Sequence, residues 1–120
     1  MLQKLRTIVY KVSDLDKAKA WYSDAFGISP YFDQPFYVGF DINGCELALD
    51  PSPGSTPSPS TSITYWSVAD IAAAVARLLS VGATIHEDTH EVGDGIYVAS
   101  VNDPFGNIIG LIHVPDTFKP

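Results

Sequence analysis

Two stretches decide the fold: Val12-Ser13-Asp14-Leu15-Asp16-Lys17-Ala18 and Val68-Ala69-Asp70-Ile71-Ala72-Ala73-Ala74. Each opens a helical pattern, and Asp14 and Asp70 lie 56 residues apart, as do Ala18 and Ala74. A fixed internal period of this length marks a duplicated module. In the first helix Leu15, Ala18, Trp21, Tyr22, Ala25 and Phe26 fall on one face, with Ser13 as the expected N-cap and Gly27 as the left-handed stop. In the second, Ile71, Ala74, Val75, Leu78 and Leu79 form the apolar stripe, and Gly82 ends it. Asp14, Asp16 and Asp70 sit in first turns, where a carboxylate complements the helix dipole, so they read as caps and not as catalysts.

A strand precedes each helix, over Leu5 to Val12 and Ile63 to Val68, because both runs are short and rich in β-branched and aromatic residues. Three strands are expected after each helix. They fall over Ser29 to Phe32, Phe36 to Asp41 and Cys45 to Asp50, then over Thr84 to Glu91, Ile96 to Val101 and Asn107 to Val114. Asn43-Gly44 is a hairpin signal, and Asp103-Pro104-Phe105-Gly106 is a turn in which proline sets φ and glycine accepts a positive φ. The sequence thus predicts an α+β chain built from βαβββ twice. The expected boundaries are module one over 1–50, a Pro/Ser-rich linker over 51–62 and module two over 63–116.

Composition narrows the function. With 14 acidic and 7 basic residues the formal charge is -7, which repels phosphate and argues against nucleic acid and anionic membrane surfaces as partners. The 120 residues, 46% hydrophobic, suit one core-forming domain. Cys45 is the only cysteine, so neither an internal disulfide nor a thiolate zinc cluster is available. The opening residues lack the apolar core of a signal peptide, and no stretch reaches the roughly 18 apolar residues of a membrane helix; a cytoplasmic protein is the expectation.

The pair of βαβββ units, with Val12, Asp14, Leu15, Ala18, Trp21 and Tyr22 at the first helix and Asp103-Pro104-x-Gly106-Asn107 near the end, resembles the vicinal oxygen chelate superfamily. That group includes glyoxalase I, extradiol dioxygenases, fosfomycin resistance enzymes and bleomycin resistance proteins. The likeness runs from about Leu5 to Val114. It implies two half-barrels with helices outside, a pocket enclosed by the paired modules, and a homodimer. Where family members bind a metal, the resemblance places its ligands at Thr7, Ile63 and Gly110 and, within a residue or two, at Ala48. None of these side chains is the imidazole, carboxylate or thiolate that a divalent ion requires. Glu46 and Asp50 share the strand face of Ala48, so a shift of register would supply carboxylates.

Other motifs yield little. His86-Glu87-Asp88-Thr89-His90 matches H-E-x-x-H, but that motif works on a helix; in the extended chain implied by Thr84-Ile85 the two imidazoles stand roughly 13 Å apart. His113 reads as a polar residue near a strand end. No serine sits in a G-x-S-x-G elbow, and Gly93-Asp94-Gly95 lacks the context of a phosphate loop. What remains is a pocket of apolar and aromatic groups. Its expected ligand-binding residues are Thr7, Val9, Lys11, Phe40, Ala48, Ile63, Tyr65, Tyr97 and Gly110, with Ser67 on the face of Tyr65 and Phe32, Phe36 and Tyr37 in the strands that wall it; for each strand aromatic, packing against the helix is an equal alternative to ligand contact.

Two functions stay open on these grounds. One is a metal-free, cofactor-free small-molecule-binding protein similar to bleomycin resistance proteins, with an aromatic or amphipathic ligand. The other is an enzyme: a lyase, isomerase or dioxygenase with a displaced metal site, or an acid/base catalyst using Glu46, Asp50 or Tyr65.

Overall fold

The computed structural model of the chain describes residues 1, 3–51 and 63–116. Of the expected linker over 51–62, residues 52–62 lie outside the described residues, while Pro51 belongs to the last strand of the first unit. The chain divides into two compact units, Met1–Pro57 and Ser58–Pro120. Unit one runs β1 (Thr7–Val12), α1 (Leu15–Phe26), β2 (Phe32–Gln34), β3 (Tyr37–Ile42) and β4 (Cys45–Pro51). Unit two runs β5 (Thr64–Ser67), α2 (Ile71–Ser80), β6 (Thr84–Gly93), β7 (Ile96–Asn102) and β8 (Ile108–His113). Each unit is βαβββ, and the sheet orders, β1-β4-β3-β2 and β5-β8-β7-β6, are the same topology twice.

The helix starts are set by the aspartates. Asp14 and Asp70 adopt extended backbone and accept from the amides of Lys17 at 3.1 Å and Ala73 at 3.0 Å. This corrects the expected Ser13 cap by one residue: the carboxylate reaches the amide three residues on and adds charge to the bond. Gly27 closes α1 in the left-handed region at φ 66. The first of the three later strands also moves, from the expected Ser29 to Phe32 to Phe32–Gln34, because Pro30 and a bend at Tyr31 keep the chain out of the ladder until Phe32 meets Gly39. The Asn43-Gly44 and Asp94-Gly95 hairpins carry positive φ at both central residues, which matches the twist of the flanking strands.

In unit one α1 packs on β3 and β4, and the ring of Tyr22 meets that of Tyr10 at 6.0 Å. The Tyr10 face of the sheet is therefore the helix face. Register carries it across: Tyr10 pairs with Leu49, Leu49 with Val38, and Phe40 with Leu47. These residues are buried and, with Val12, Ala18 and Ala25, form the unit's core. Thr7, Val9, Glu46, Ala48, Tyr37, Gly39 and Asp41 necessarily occupy the opposite, open face.

In unit two Trp66 pairs with Leu111, and Leu111 with Ala99. Tyr65 pairs with Gly110, and Gly110 with Ser100, on the other face. Among the described residues no helix is long and apolar enough to cross a membrane.

Candidate functional site

The densest polar cluster of unit one surrounds Glu46 on the open face of β4. Its side chain is only 8% exposed. Four donors converge on it. Tyr37 Oη donates to Oε1 at 2.7 Å, Thr7 Oγ1 at 3.0 Å and Arg6 Nη1 at 3.3 Å, while the Tyr31 hydroxyl donates to Oε2. Arg6 Nη1 also donates to Thr7 Oγ1 at 2.7 Å.

The backbone explains this convergence. Thr7 is the direct cross-strand partner of Glu46 in the parallel β1–β4 ladder, and Asp41 is its antiparallel partner on β3. Tyr31 is docked by its amide, which donates to the Gly39 carbonyl at 3.0 Å. Gly39 then leaves the room in which the carboxylate and the Tyr31 ring lie across the strand. A Cβ there would stand 2.5 Å from Glu46 Oε2 and 3.2 Å from Tyr31 Cε1. Glycine within a strand commonly marks such a close approach.

Burial pushes the Glu46 carboxyl up, but hydrogen bonds from Tyr31, Tyr37 and Thr7 and the charge of Arg6 outweigh it, so the group is held below its usual value of 4.5. Tyr37 is pushed up to about 12, first by burial and then by its bond to the Glu46 anion. Tyr31 is raised too, chiefly by its bond to Glu46. At neutral pH the cluster is one carboxylate held by two neutral phenols, a threonine hydroxyl and a guanidinium. Beside it opens a cavity of about 250 Å³ lined by Arg6, Tyr31, Asp41, Gly44 and Glu46.

The other expected site residues divide between faces. Val9, 49% exposed, lies opposite the buried Ala48 on the open face, and Lys11 lies opposite Asp50. Phe40 departs from its expected place in the pocket wall. It is fully buried on the helix face, since its ladder partner is Leu47.

In unit two, Ile63 is half-buried just before β5, and Tyr65 lies across Gly110. A Cβ on Gly110 would stand 2.5 Å from the Thr64 carbonyl oxygen and 2.8 Å from Tyr65 Cδ1. Tyr97 does not share the face of Tyr65. It pairs with His113 and alternates onto the face of Ala99, while Tyr65 lies with Ser100.

His86 and His90 lie on β6, as their extended reading requires. They meet different partners, Ser100 Oγ at 2.8 Å and the Asp88 carbonyl at 2.9 Å. Among the described residues no three His, Cys, Asp or Glu side chains are grouped to hold a metal ion.

The donor set also fails to fit the metal that the resemblance implies. Ala48 pairs with Val9 and Gly110 with Tyr65, themselves 56 residues apart, so Ala48 and Gly110 are equivalent positions of the repeat and neither carries a ligand atom. The nearest carboxylate to Ala48 on its strand face that is buried, Glu46, already serves four donors and has no imidazole among its partners.

These two sheets, each with its helix on one face, define an α+β protein of duplicated βαβββ units. The profile of the Glyoxalase/Bleomycin resistance protein/Dioxygenase superfamily matches residues 4–111, and the chain belongs to that family. Among solved structures it is similar to a glyoxalase-related enzyme from Fulvimarina pelagi, with 22% identity and a TM-score of 0.78 over 95% of this chain and 90% of that one. A family enzyme from Burkholderia phytofirmans PsJN gives 18% and 0.77 over 94% and 100%. Lactoylglutathione lyase from Agrobacterium tumefaciens gives 20% and 0.74 over 94% and 95%. At these identities the likeness is one of fold. No curated protein gives a significant match to the chain.

Proposed function

We propose that this chain is a metal-free small-molecule-binding member of the family, with Glu46 as the polar anchor of a site on the open face of unit one. The observation that carries the reading is the Glu46 cluster itself: an ionised carboxylate, 8% exposed, fixed by four donors at the side of a cavity of about 250 Å³. A small polar constellation in a concave site is how proteins orient small ligands. A buried charge is costly unless it is paired and hydrogen-bonded, and these four donors are what keep the carboxylate ionised beside the cavity.

The enzyme reading is weaker on the same observations. A general base works best with a pKa near the working pH, and the bonds that hold Glu46 move it the other way. Metal chemistry would need imidazole, carboxylate or thiolate ligands at Thr7, Ala48, Ile63 and Gly110, where the side chains are a neutral hydroxyl, a methyl, an alkyl group and a hydrogen.

The test is thermal unfolding of chelator-treated protein with and without zinc, nickel, manganese and iron(II). An ion that bound only the folded state would raise Tm by mass action. An unchanged Tm is expected. A clear rise that disappears in Glu46→Gln would overturn the reading.

A further inference from the structure

We propose that the Glu46 cavity selects a small organic cation, an ammonium or amidinium group carried on a single ring or short chain, and that Arg6 is the internal cation it displaces. This deepens the reading above and rests on it. A carboxylate offers about four acceptor positions. Among the described residues Oε1 takes Tyr37, Thr7 and Arg6 and Oε2 takes Tyr31 alone, so Oε2 is the oxygen with acceptor capacity to spare.

The partners differ in how firmly they are held. Tyr37 and Thr7 belong to the sheet, and Tyr31 is docked through its amide. Arg6 precedes β1, and its side chain is 71% exposed while that of Glu46 is 8% exposed. On leaving, Arg6 gives up its 3.3 Å contact to Glu46 and its 2.7 Å bond to Thr7 Oγ1, so an incoming cation has to restore both charge and donors at the carboxylate. The buried anion it leaves behind gains most from a replacement with N–H donors and positive charge.

The remaining charges agree. Asp41, beside Glu46 across the ladder, adds a second carboxylate whose Oδ1 accepts from the Gly44 amide at 2.9 Å. Lys4 approaches the Gly44 carbonyl at 3.4 Å at the rim, exposed like Arg6. The two anions thus sit on strands of the sheet, the two cations are on exposed side chains before β1, and the chain as a whole carries -7. The ring of Tyr31, 57% exposed, offers a face for the ligand's body or its charge. A volume of about 250 Å³ falls below the roughly 300–1,000 Å³ of drug-sized sites, which restricts the ligand to a fragment.

The experiment is a titration of the full chain, followed by amide NMR shifts, with benzylammonium, benzyl alcohol and benzoate at low and moderate salt. Benzylammonium should bind at least about fivefold more tightly than either of the others, and salt should weaken it. Arg6→Gln, an exposed change that spares the fold, should tighten benzylammonium severalfold by removing the competitor. Glu46→Gln should abolish the preference. Benzoate binding best and failing in Arg6→Gln would overturn the cation assignment while leaving the binding site in place. Binding of all three with equal strength would do the same. Absence of shifts around Glu46 with every probe would instead overturn the reading on which the inference rests.

Discussion

Gly39→Ala is the sharpest probe of how the Glu46 cluster is held. The new methyl would stand 2.5 Å from Glu46 Oε2 and 3.3 Å from its Cδ, inside van der Waals contact, so the carboxylate has to move. It cannot move freely, because three donors fix the other oxygen. The bond most exposed to loss is that from Tyr31. Water recovers much of that bond for a phenol that is 57% exposed. The measurable cost falls on the bonds that Tyr37 and Thr7 make to the displaced carboxylate; a hydrogen bond to a charged group contributes roughly 1.5–3 kcal/mol, and about 2–3 kcal/mol is expected from their distortion. Alanine returns roughly 0.5–1 kcal/mol through strand preference and a less flexible unfolded chain. Net destabilisation should therefore be about 1–2 kcal/mol by urea titration. The decisive comparison is a double-mutant cycle. With Glu46→Ala already present, Gly39→Ala should be neutral or stabilising, giving a coupling of about 2 kcal/mol. A coupling below about 0.5 kcal/mol would refute the claim that Gly39 exists to admit the carboxylate.

Four further outcomes are expected, three from the same structure and one from family resemblance. The stability that Glu46 contributes should be complete above its usual value of 4.5 and be lost as pH falls through its lower folded value; Glu46→Gln should flatten the acid limb of a pH series of urea midpoints. Tyr37 has the opposite sign: its contribution is complete below 10.0 and is lost as pH rises toward about 12, so Tyr37→Phe should flatten the alkaline limb. Asp14→Ala should cost about 1 kcal/mol and Ser13→Ala close to nothing, since Asp14 holds the Lys17 amide; equal losses would move the cap. The homodimer implied by family resemblance should sediment above the 13.0 kDa monomer at tens of micromolar, and a lone monomer peak would count against it.

The repeat, both helices and the element order βαβββ were legible because each rests on local chemistry: an aspartate that can cap, an apolar stripe at helical spacing, and glycine where φ must be positive. The Glu46 cluster was only half legible. Alternation placed Glu46 on the face of Ala48, and the observed pairing of Thr7 with Glu46 agrees. Its principal partner on Oε2 was hidden. Tyr31 sits outside β2, and nothing in its neighbourhood signals that a bend after Pro30 turns its hydroxyl toward β4. Gly39 was the available signal, a glycine between Val38 and Phe40 inside a strand.

Phe40 and Tyr97 show the converse difficulty. β3 and β7 carry apolar or aromatic residues at consecutive positions, so composition does not reveal which parity faces the helix. Only pairing with Leu47 and with His113 assigns them. A ladder is a non-local property, and a shift of one residue exchanges the faces.

The account stands on a metal-free ligand site around Glu46, and amide NMR of the chelator-treated chain during benzylammonium titration tests it most directly. Saturable shifts at Gly39, Glu46 and the residues flanking Tyr31, unchanged by added zinc or manganese, are predicted. Shifts that appear only once a divalent ion is supplied, or that leave those residues untouched, would contradict it.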